Sequence, residues 1–352
     1  MFIMKSLAFI FLNFLFLSSV FGQVSKDFYK DGKSESAEFD QIGLNSKENK
    51  KQEINKDQDL DPWWTGTILA ASPNTVTPGE FTFTPFLLYY RTYGIYNRDG
   101  QLKNTPTLNT LNGFFGLQTG ITEKVDLTYY FQVFDNWIYN HNYFGFGDSI
   151  ARLKYQLSPL DSKDPILSVF IEEIIPTGNY HHLSPDFSSL DGTGGGSWVT
   201  NIGFFLEHSF KTSDQRWFHW YFNFFYGVPA PLKVEGLSIY GGSPGTKGRV
   251  YPGQSIFMIL AFERQLTQNW VLALDITYRH NNVSKFKGNP GFNRKGELSF
   301  VGLPSSESYT LAPAIEYNID ENKGIMAGVW FTVAGRNATA FYTPTIFAYF
   351  SF

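Results

Sequence analysis

No cysteine occurs anywhere in the 352 residues, which removes disulfides, thiolate nucleophiles, thiolate metal ligands and cysteine-linked lipid anchors together. Charge is scarce as well: 28 Lys and Arg against 32 Asp and Glu leave a formal net charge of -4. That balance offers no basic footprint, so no nucleic-acid partner is expected. Long apolar runs are missing beyond the N-terminal region. After Gln23 no stretch approaches the roughly 20 apolar residues that a membrane-crossing helix needs, so any passage through a bilayer has to be made by strands. No cofactor fingerprint and no metal spacing stand out. The run Gly192 to Gly196, interrupted by Thr193, lacks the strand-to-helix setting and the Lys-Ser/Thr ending of a phosphate cradle, and reads as a mobile loop. His141 and the pair His181-His182 have no spacing that fixes a metal.

The N-terminal region has the anatomy of a targeting segment. Lys5 precedes an apolar run from Leu7 to Leu17 that only Asn13 interrupts, and Ser18, Ser19 and the small-residue site Val20-Phe21-Gly22 follow. The run is too short to span a bilayer, so residues 1–22 are expected to be a signal peptide removed before Gln23. Residues 23–60 intersperse Lys, Asp and Glu, and their apolar groups, among them Phe28, Phe39, Ile42 and Ile54, are too scattered to repay the entropy of ordering. A disordered periplasmic linker is expected there. The pre-barrel segment 61–80 differs, with Pro62-Trp63-Trp64-Thr65-Gly66 and the turn Thr77-Pro78-Gly79. It is expected to be ordered, sealing the periplasmic mouth or entering the lumen, and to pack rather than to bind a ligand.

Aromatic residues are abundant: 36 Phe, 20 Tyr and 8 Trp. A single water-soluble core of this size would struggle to bury them, whereas a barrel in lipid has no need to. From Phe81 onward apolar residues alternate with small or polar ones, the two-residue repeat of a strand with unlike faces. Trp270, Leu272, Leu274, Ile276 and Tyr278 share one face, opposite Val271, Ala273, Asp275, Thr277 and Arg279. The same division sets Tyr309, Leu311, Pro313, Ile315 and Tyr317 against Thr310, Ala312, Ala314, Glu316 and Asn318.

This period predicts twelve strands near 81–93, 109–120, 125–138, 147–158, 166–176, 197–211, 216–228, 254–266, 270–282, 307–319, 324–334 and 340–352. Each is long enough to cross a bilayer when tilted. The connectors alternate between short polar turns and the longer joins 94–108, 139–146, 177–196, 229–253 and 283–306, the pattern of periplasmic turns and external loops; the short last join, Gly335 to Thr339, departs from it. The expected fold is therefore an all-β transmembrane antiparallel up-and-down barrel spanning 61–352 in the bacterial outer membrane. Both ends of its wall face the periplasm. In the last strand Tyr342, Pro344, Ile346, Ala348, Phe350 and Phe352 share the lipid-facing side, and Phe350 and Phe352 form the C-terminal insertion signal that the barrel-assembly machinery is expected to read. Outer-membrane lipid and lipopolysaccharide would surround such a belt. The strand map is compatible with a monomer or a trimer.

Charge inside a strand should face the lumen, because on the lipid side it costs about 2–4 kcal/mol near the midplane. Asp126, Arg152, Lys154, Glu207, Glu263, Asp275, Arg279 and Glu316 all share parity with polar or small neighbours. Glu172-Glu173 is an adjacent pair, so one of the two has to point outward or sit near an interface. Phe114, Tyr130, Phe134, Phe257 and Trp330 add aromatic rings to the same inner face. These groups line an aqueous path for a small-molecule solute, or they pair across a narrow lumen and fill it; parity does not separate the two.

Gly147-Asp148 with Arg152, Lys154 and Tyr155, then Ile175-Pro176-Thr177-Gly178-Asn179-Tyr180, then Thr193-Gly194 ahead of Trp198, resemble the outer-membrane transporter family named MetA-pathway of phenol degradation. Pro62 to Gly79 is similar to the start of its members, so the resemblance runs from Pro62 to Phe352. It implies a barrel that passes small, aromatic or otherwise hydrophobic molecules, and it carries over no established substrate residue. In physical terms Pro176-Thr177-Gly178 would end a strand and begin a loop. Two other classes compete. A lipid-hydrolysing barrel would need a Ser-His pair, and His280-Asn281-Asn282-Val283-Ser284 is the one segment that gathers such residues. A structural or adhesion barrel would act through the loops 229–253 and 283–306.

Overall fold

The computed structural model describes residues 63–160, 165–185 and 190–352. The expected signal peptide and the linker 23–60 lie outside them. Sixteen strands follow in order: β1 (Phe81–Tyr96), β2 (Leu102–Thr122), β3 (Val125–Ile138), β4 (His141–Phe146), β5 (Ser149–Gln156) and β6 (Ile166–Ile175). Next come β7 (Val199–Lys211), β8 (Trp217–Pro229), β9 (Leu232–Glu235), β10 (Lys247–Tyr251) and β11 (Ser255–Gln265). The last are β12 (Trp270–Asn281), β13 (Lys285–Asn289), β14 (Ser306–Asp320), β15 (Lys323–Arg336) and β16 (Ala338–Ser351). Among the described residues no helix is long and apolar enough to cross a membrane.

Twelve of the strands, all but β4, β9, β10 and β13, hydrogen-bond in chain order, and β1 pairs with β16 to close the ring. At the closure Phe81 and Phe352 exchange backbone bonds of 3.1 and 2.9 Å. A closed antiparallel ring leaves no unpaired edge, which is the condition for a sheet to sit in hydrocarbon. Each wall strand also presents at least one large apolar side chain outward, among them Leu87, Leu111, Leu127, Leu153, Ile171, Ile202, Leu260, Ile315, Val329 and Ile346. The chain is a transmembrane β-barrel of the outer-membrane type, and the twelve strands expected from alternation are its wall.

The long joins are more ordered than their composition suggests. Join 94–108 is mostly strand, because β1 and β2 continue pairing to Tyr96 and Leu102 beyond a bulge at Thr92/Gly94. Gly94 fits there because a Cβ would lie 2.7 Å from the Lys103 carbonyl oxygen. In join 139–146, β4 folds back on the end of β3. Joins 229–253 and 283–306 contribute β9, β10 and β13, a separate three-stranded sheet in which β10 is central. Its apolar side, Leu232, Val234 and Val250, packs with Tyr240, Tyr180 and Phe286, so these loops own a small core. The turn between β15 and β16 stays tight, with Asn337 at a φ of 48°.

Candidate functional site

Residues 63–77 run through the half of the lumen nearest the short turns, and the wall receives them with the charges that parity assigns to the inner face. A segment without regular structure leaves its peptide groups unpaired, and inside a barrel they have to find partners on the wall. Thr65 donates its N–H to Glu316 (2.5 Å) and its hydroxyl to Asn318 (2.6 Å). Asp275 accepts the Thr67 hydroxyl (2.6 Å) and the N–H groups of Ile68 (3.2 Å) and Ala70 (3.1 Å). Asn223 brackets Ala71, accepting its N–H and donating to its carbonyl. Glu207 accepts from Ser72 and Asn74. Lys154 donates to the carbonyls of Ser72 and Asn74 while pairing with Asp126 at 3.1 Å. Apolar contacts complete the seat: Ile68 packs with Ala273, Ala312, Ala314, Met326 and Phe347, and Leu69 and Ala70 pack against Tyr221, Ile259 and Ala261.

Beside the segment lies a second cluster. The Tyr221 hydroxyl donates to Glu263 at 2.7 Å, and His219 sits 3.5 Å from Glu263 and 3.6 Å from Glu207. The Trp64 ring meets His219 edge-on, with centroids 5.1 Å apart. Glu263 and Glu316 are both fully buried.

The lumen holds a cavity of about 1120 Å³ whose lining runs from Glu80, Glu321 and Ser351 at the turn end to Arg152, Arg279 and Trp330 further in, with residues 63–77 forming part of it. Arg152 on β5 reaches Glu172 on β6 through its Nε (2.8 Å) and one terminal nitrogen (2.5 Å), and Asn201 donates to the second Glu172 oxygen at 2.7 Å. The Arg152 guanidinium lies 5.1–5.6 Å from the ring centroids of Phe205, Phe170, Tyr130 and Phe225. Rings at that distance stabilise a cation while excluding water. Arg279 on β12 lies 3.9 Å over Phe257, its cross-strand partner on β11. Trp330 donates its indole N–H to Thr310 at 2.7 Å and meets Tyr90 edge-on.

The eight charged candidates thus differ in what they meet, and Lys154 and Glu207 both hold the inner segment and line the cavity. Asp126, Lys154, Glu207, Asp275 and Glu316 bind residues 63–77 or their immediate partners, and Glu263 belongs to the His219 cluster beside them. Arg152 and Arg279 line the cavity with Phe114, Tyr130, Phe257 and Trp330. Phe134 lies beside Gly147 instead. The Glu172-Glu173 pair resolves as alternation requires. Glu172 is buried inside, whereas Glu173, near the outer end of β6, is half-buried and accepts the Thr200 hydroxyl. His219, Tyr221, Asn223 and Asn201 escape sequence reasoning. On β8 the inward Trp217, His219, Tyr221, Asn223 and Phe225 alternate with Phe218, Trp220, Phe222 and Phe224, so aromatic residues on both faces hide the period.

The glycine run at 192–196 is not free. Asp148 accepts N–H bonds from Gly178 (3.0 Å) and Gly195 (2.6 Å), and Thr177 donates its hydroxyl to the Gly147 carbonyl at 2.7 Å. Thr193 accepts the Asn179 N–H and donates to the Phe146 carbonyl. A Cβ on Gly178 would stand 2.7 Å from the Gly194 Cα. Burial pushes the Asp148 carboxyl up from its ordinary range, opposed by the N–H donors of Gly195 and Gly178.

The His280–Ser284 segment does not assemble a nucleophile. His280 Nε2 is 3.2 Å from the Asn282 side-chain oxygen, and the Ser284 hydroxyl both donates to and accepts from the Leu303 backbone. Among the described residues no group of three or more His, Cys, Asp or Glu could hold a metal ion.

The fold is similar to that of an outer membrane channel from Pseudomonas putida, with a TM-score of 0.59 and 12% identity over 81% of this chain and 100% of that chain. Looser overlaps join it to a mutant of the TodX monoaromatic hydrocarbon channel (TM-score 0.40, 10% identity, 82% of this chain and 94% of that one). The translocator domain of the autotransporter NalP from Neisseria meningitidis overlaps to the same extent (TM-score 0.40, 7% identity, 87% and 95%). The sequence matches no family model and no curated protein. What the chain shares with the Pseudomonas channel is the outer-membrane barrel fold.

Proposed function

We propose that the protein is an outer-membrane channel for passive passage of small solutes with aromatic or otherwise hydrophobic bodies, in which residues 63–77 set the constriction. One observation carries this reading: the cavity of about 1120 Å³ pairs an aromatic wall with two guanidinium groups, and the segment that lines its other side is held by polar bonds to the barrel. A barrel that only filled itself would leave no such space. The segment's bonds to Glu316, Asp275, Glu207 and Lys154 involve charged side chains and are each worth about 1.5–3 kcal/mol net, so loss of a single anchor weakens the seat appreciably. The motifs that resemble those of the MetA-pathway of phenol degradation family, and the structural likeness to a channel, support the same reading. Lipid and lipopolysaccharide would cover the apolar belt, and Phe350 and Phe352 would present the insertion signal to the assembly machinery.

Planar-bilayer conductance and liposome swelling test this with the purified full-length protein. Discrete current steps and swelling in small polar solutes are expected. Silence in both assays, for the wild type and for Asp275→Ala, in which the segment loses its most connected anchor, would overturn the proposal.

A further inference from the structure

Of the three cations that strands place in the lumen, two are already neutralised. Arg152 is paired with Glu172, and Lys154 with Asp126 and two carbonyl oxygens. Arg279 differs. Among the described residues it has no ion pair, and it is exposed to the lumen while the central carbon of its guanidinium lies over the Phe257 ring, 3.9 Å from the centroid. The nearby carboxylate of Glu172 is committed to Arg152 and Asn201. A guanidinium seated over a ring and making no ion pair still has N–H donors to give, and their fork matches the two oxygens of a carboxylate.

The rest of the cavity around Arg279 is apolar on one side. Tyr90 lies within electrostatic reach of the guanidinium. The Trp330 indole N–H is already given to Thr310, so what Trp330 offers the lumen is ring surface. Phe86 lies tilted against Phe347 and meets Phe114 edge-on, and Phe114 stacks on Tyr130, all of them lining the same space. A cation with free donors beside continuous aromatic surface selects a ligand with one anionic end and a flat apolar body.

We propose that Arg279 is the docking point for an aromatic monocarboxylate, whose carboxylate pairs with the guanidinium and whose ring lies among Phe257, Tyr90 and Trp330. The wall below strengthens the choice of a single negative charge at one end of the molecule. Asp275, Glu207 and Glu316 already fill that level with carboxylate oxygens turned toward residues 63–77, so a second anionic group pointing downward would meet repulsion. The proposal rests on the channel reading for the route by which a solute arrives, but occupancy of the site is measurable without any flux.

The experiment uses the full-length protein in detergent micelles and three probes of one shape, benzoate, benzamide and benzylamine, with affinity read by titration calorimetry. Benzoate is expected to bind at least about tenfold more tightly than neutral benzamide, and benzylamine least. Arg279→Gln should erase the difference between benzoate and benzamide, Arg279→Lys should retain part of it, and Arg98→Gln, in the exposed β1–β2 turn, should leave it unchanged. Equal affinities for benzoate and benzamide in the wild type, or an unaltered preference in Arg279→Gln, would overturn the proposal. Should Arg279→Gln lose the heat-modifiable mobility of a folded barrel, Phe257→Leu takes its place, with a several-fold loss of benzoate affinity expected and no loss counting against the site. Binding without conductance would defeat the channel reading and leave the docking site standing; conductance without charge preference would do the reverse.

Discussion

Thr67 donates its hydroxyl to Asp275 at 2.6 Å, joining the inner segment to the barrel wall across 208 positions of sequence. The same carboxylate takes the N–H groups of Ile68 and Ala70, so one side chain on β12 fixes a whole turn of the segment. Thr67→Val removes the hydroxyl that donates to Asp275 and accepts the Ala70 N–H, with a loss of about 1.5–3 kcal/mol for the bond to the carboxylate; Asp275→Ala removes all three bonds to the carboxylate. Single-channel conductance is expected to rise modestly in the first variant and clearly in the second. Identical conductance in the wild type and both variants would show that residues 63–77 do not limit the current.

The Arg152–Glu172 pair makes a different prediction, about stability. Its carboxylate is almost fully enclosed and its guanidinium is surrounded by four rings. Removing one partner leaves the other charge buried and unpaired, which costs about 3–5 kcal/mol, whereas replacing both by neutral groups of similar volume is often nearly neutral. Arg152→Met should therefore lower the urea midpoint of the folded barrel strongly, and Arg152→Met with Glu172→Gln should recover most of the loss. A single and a double variant equally destabilised would mean that the rings, not the ion pair, hold this part of the wall.

The wall was legible in the sequence because lipid on one side and polar contents on the other enforce strict alternation, as β12 and β14 demonstrate. Lumen-facing charge was legible for the same reason, since Asp275 and Glu316 could not sit among Leu274 and Ile315 on the outer face. What those charges do was not legible. Many of their partners are backbone groups, those of Thr65, Ile68, Ala70 and Val76 among them, and backbone groups leave no mark in residue identity. The three-stranded sheet of β9, β10 and β13 was hidden in another way, because its strands are only 4–5 residues long and are separated by glycine-rich turns that dominate composition.

Asp148 gives the external loop a latch with a predictable pH response. Its carboxyl receives N–H groups from two segments, and Gly178 and Gly194 approach so closely that side chains there would collide. Gly194→Val should open the loop 177–196 to proteases that leave the wild type intact. The titration has a defined sign. A carboxyl whose folded value is raised by burial binds its proton more readily in the folded chain, so its contribution is fully present below the unfolded value and declines as pH rises through the folded one. Urea midpoints measured between about pH 3 and pH 7 should include such a decline in the wild type, and Asp148→Asn should flatten it. A decline of unchanged size in Asp148→Asn would assign it to another group.

Phe352 has two roles that one substitution separates. Its backbone closes the barrel by exchanging hydrogen bonds with Phe81, and its ring, largely exposed, stacks on Phe81 with centroids 6.0 Å apart. Phe352→Ala keeps the backbone bonds and deletes the ring. If the ring serves only the stack, about 0.5–1.5 kcal/mol is lost, and both refolding into detergent and yield in the outer membrane should fall together by a small amount. If the ring is what the assembly machinery reads, refolding of the purified chain should be nearly unaffected while membrane yield in cells falls severalfold. The ring's exposure favours the second outcome, because a side chain that mainly braced the closure would be covered by it. Equal, small losses in both assays would remove Phe352 from the insertion signal and leave Phe350, whose ring stacks on Phe83 and Phe352, as the remaining candidate.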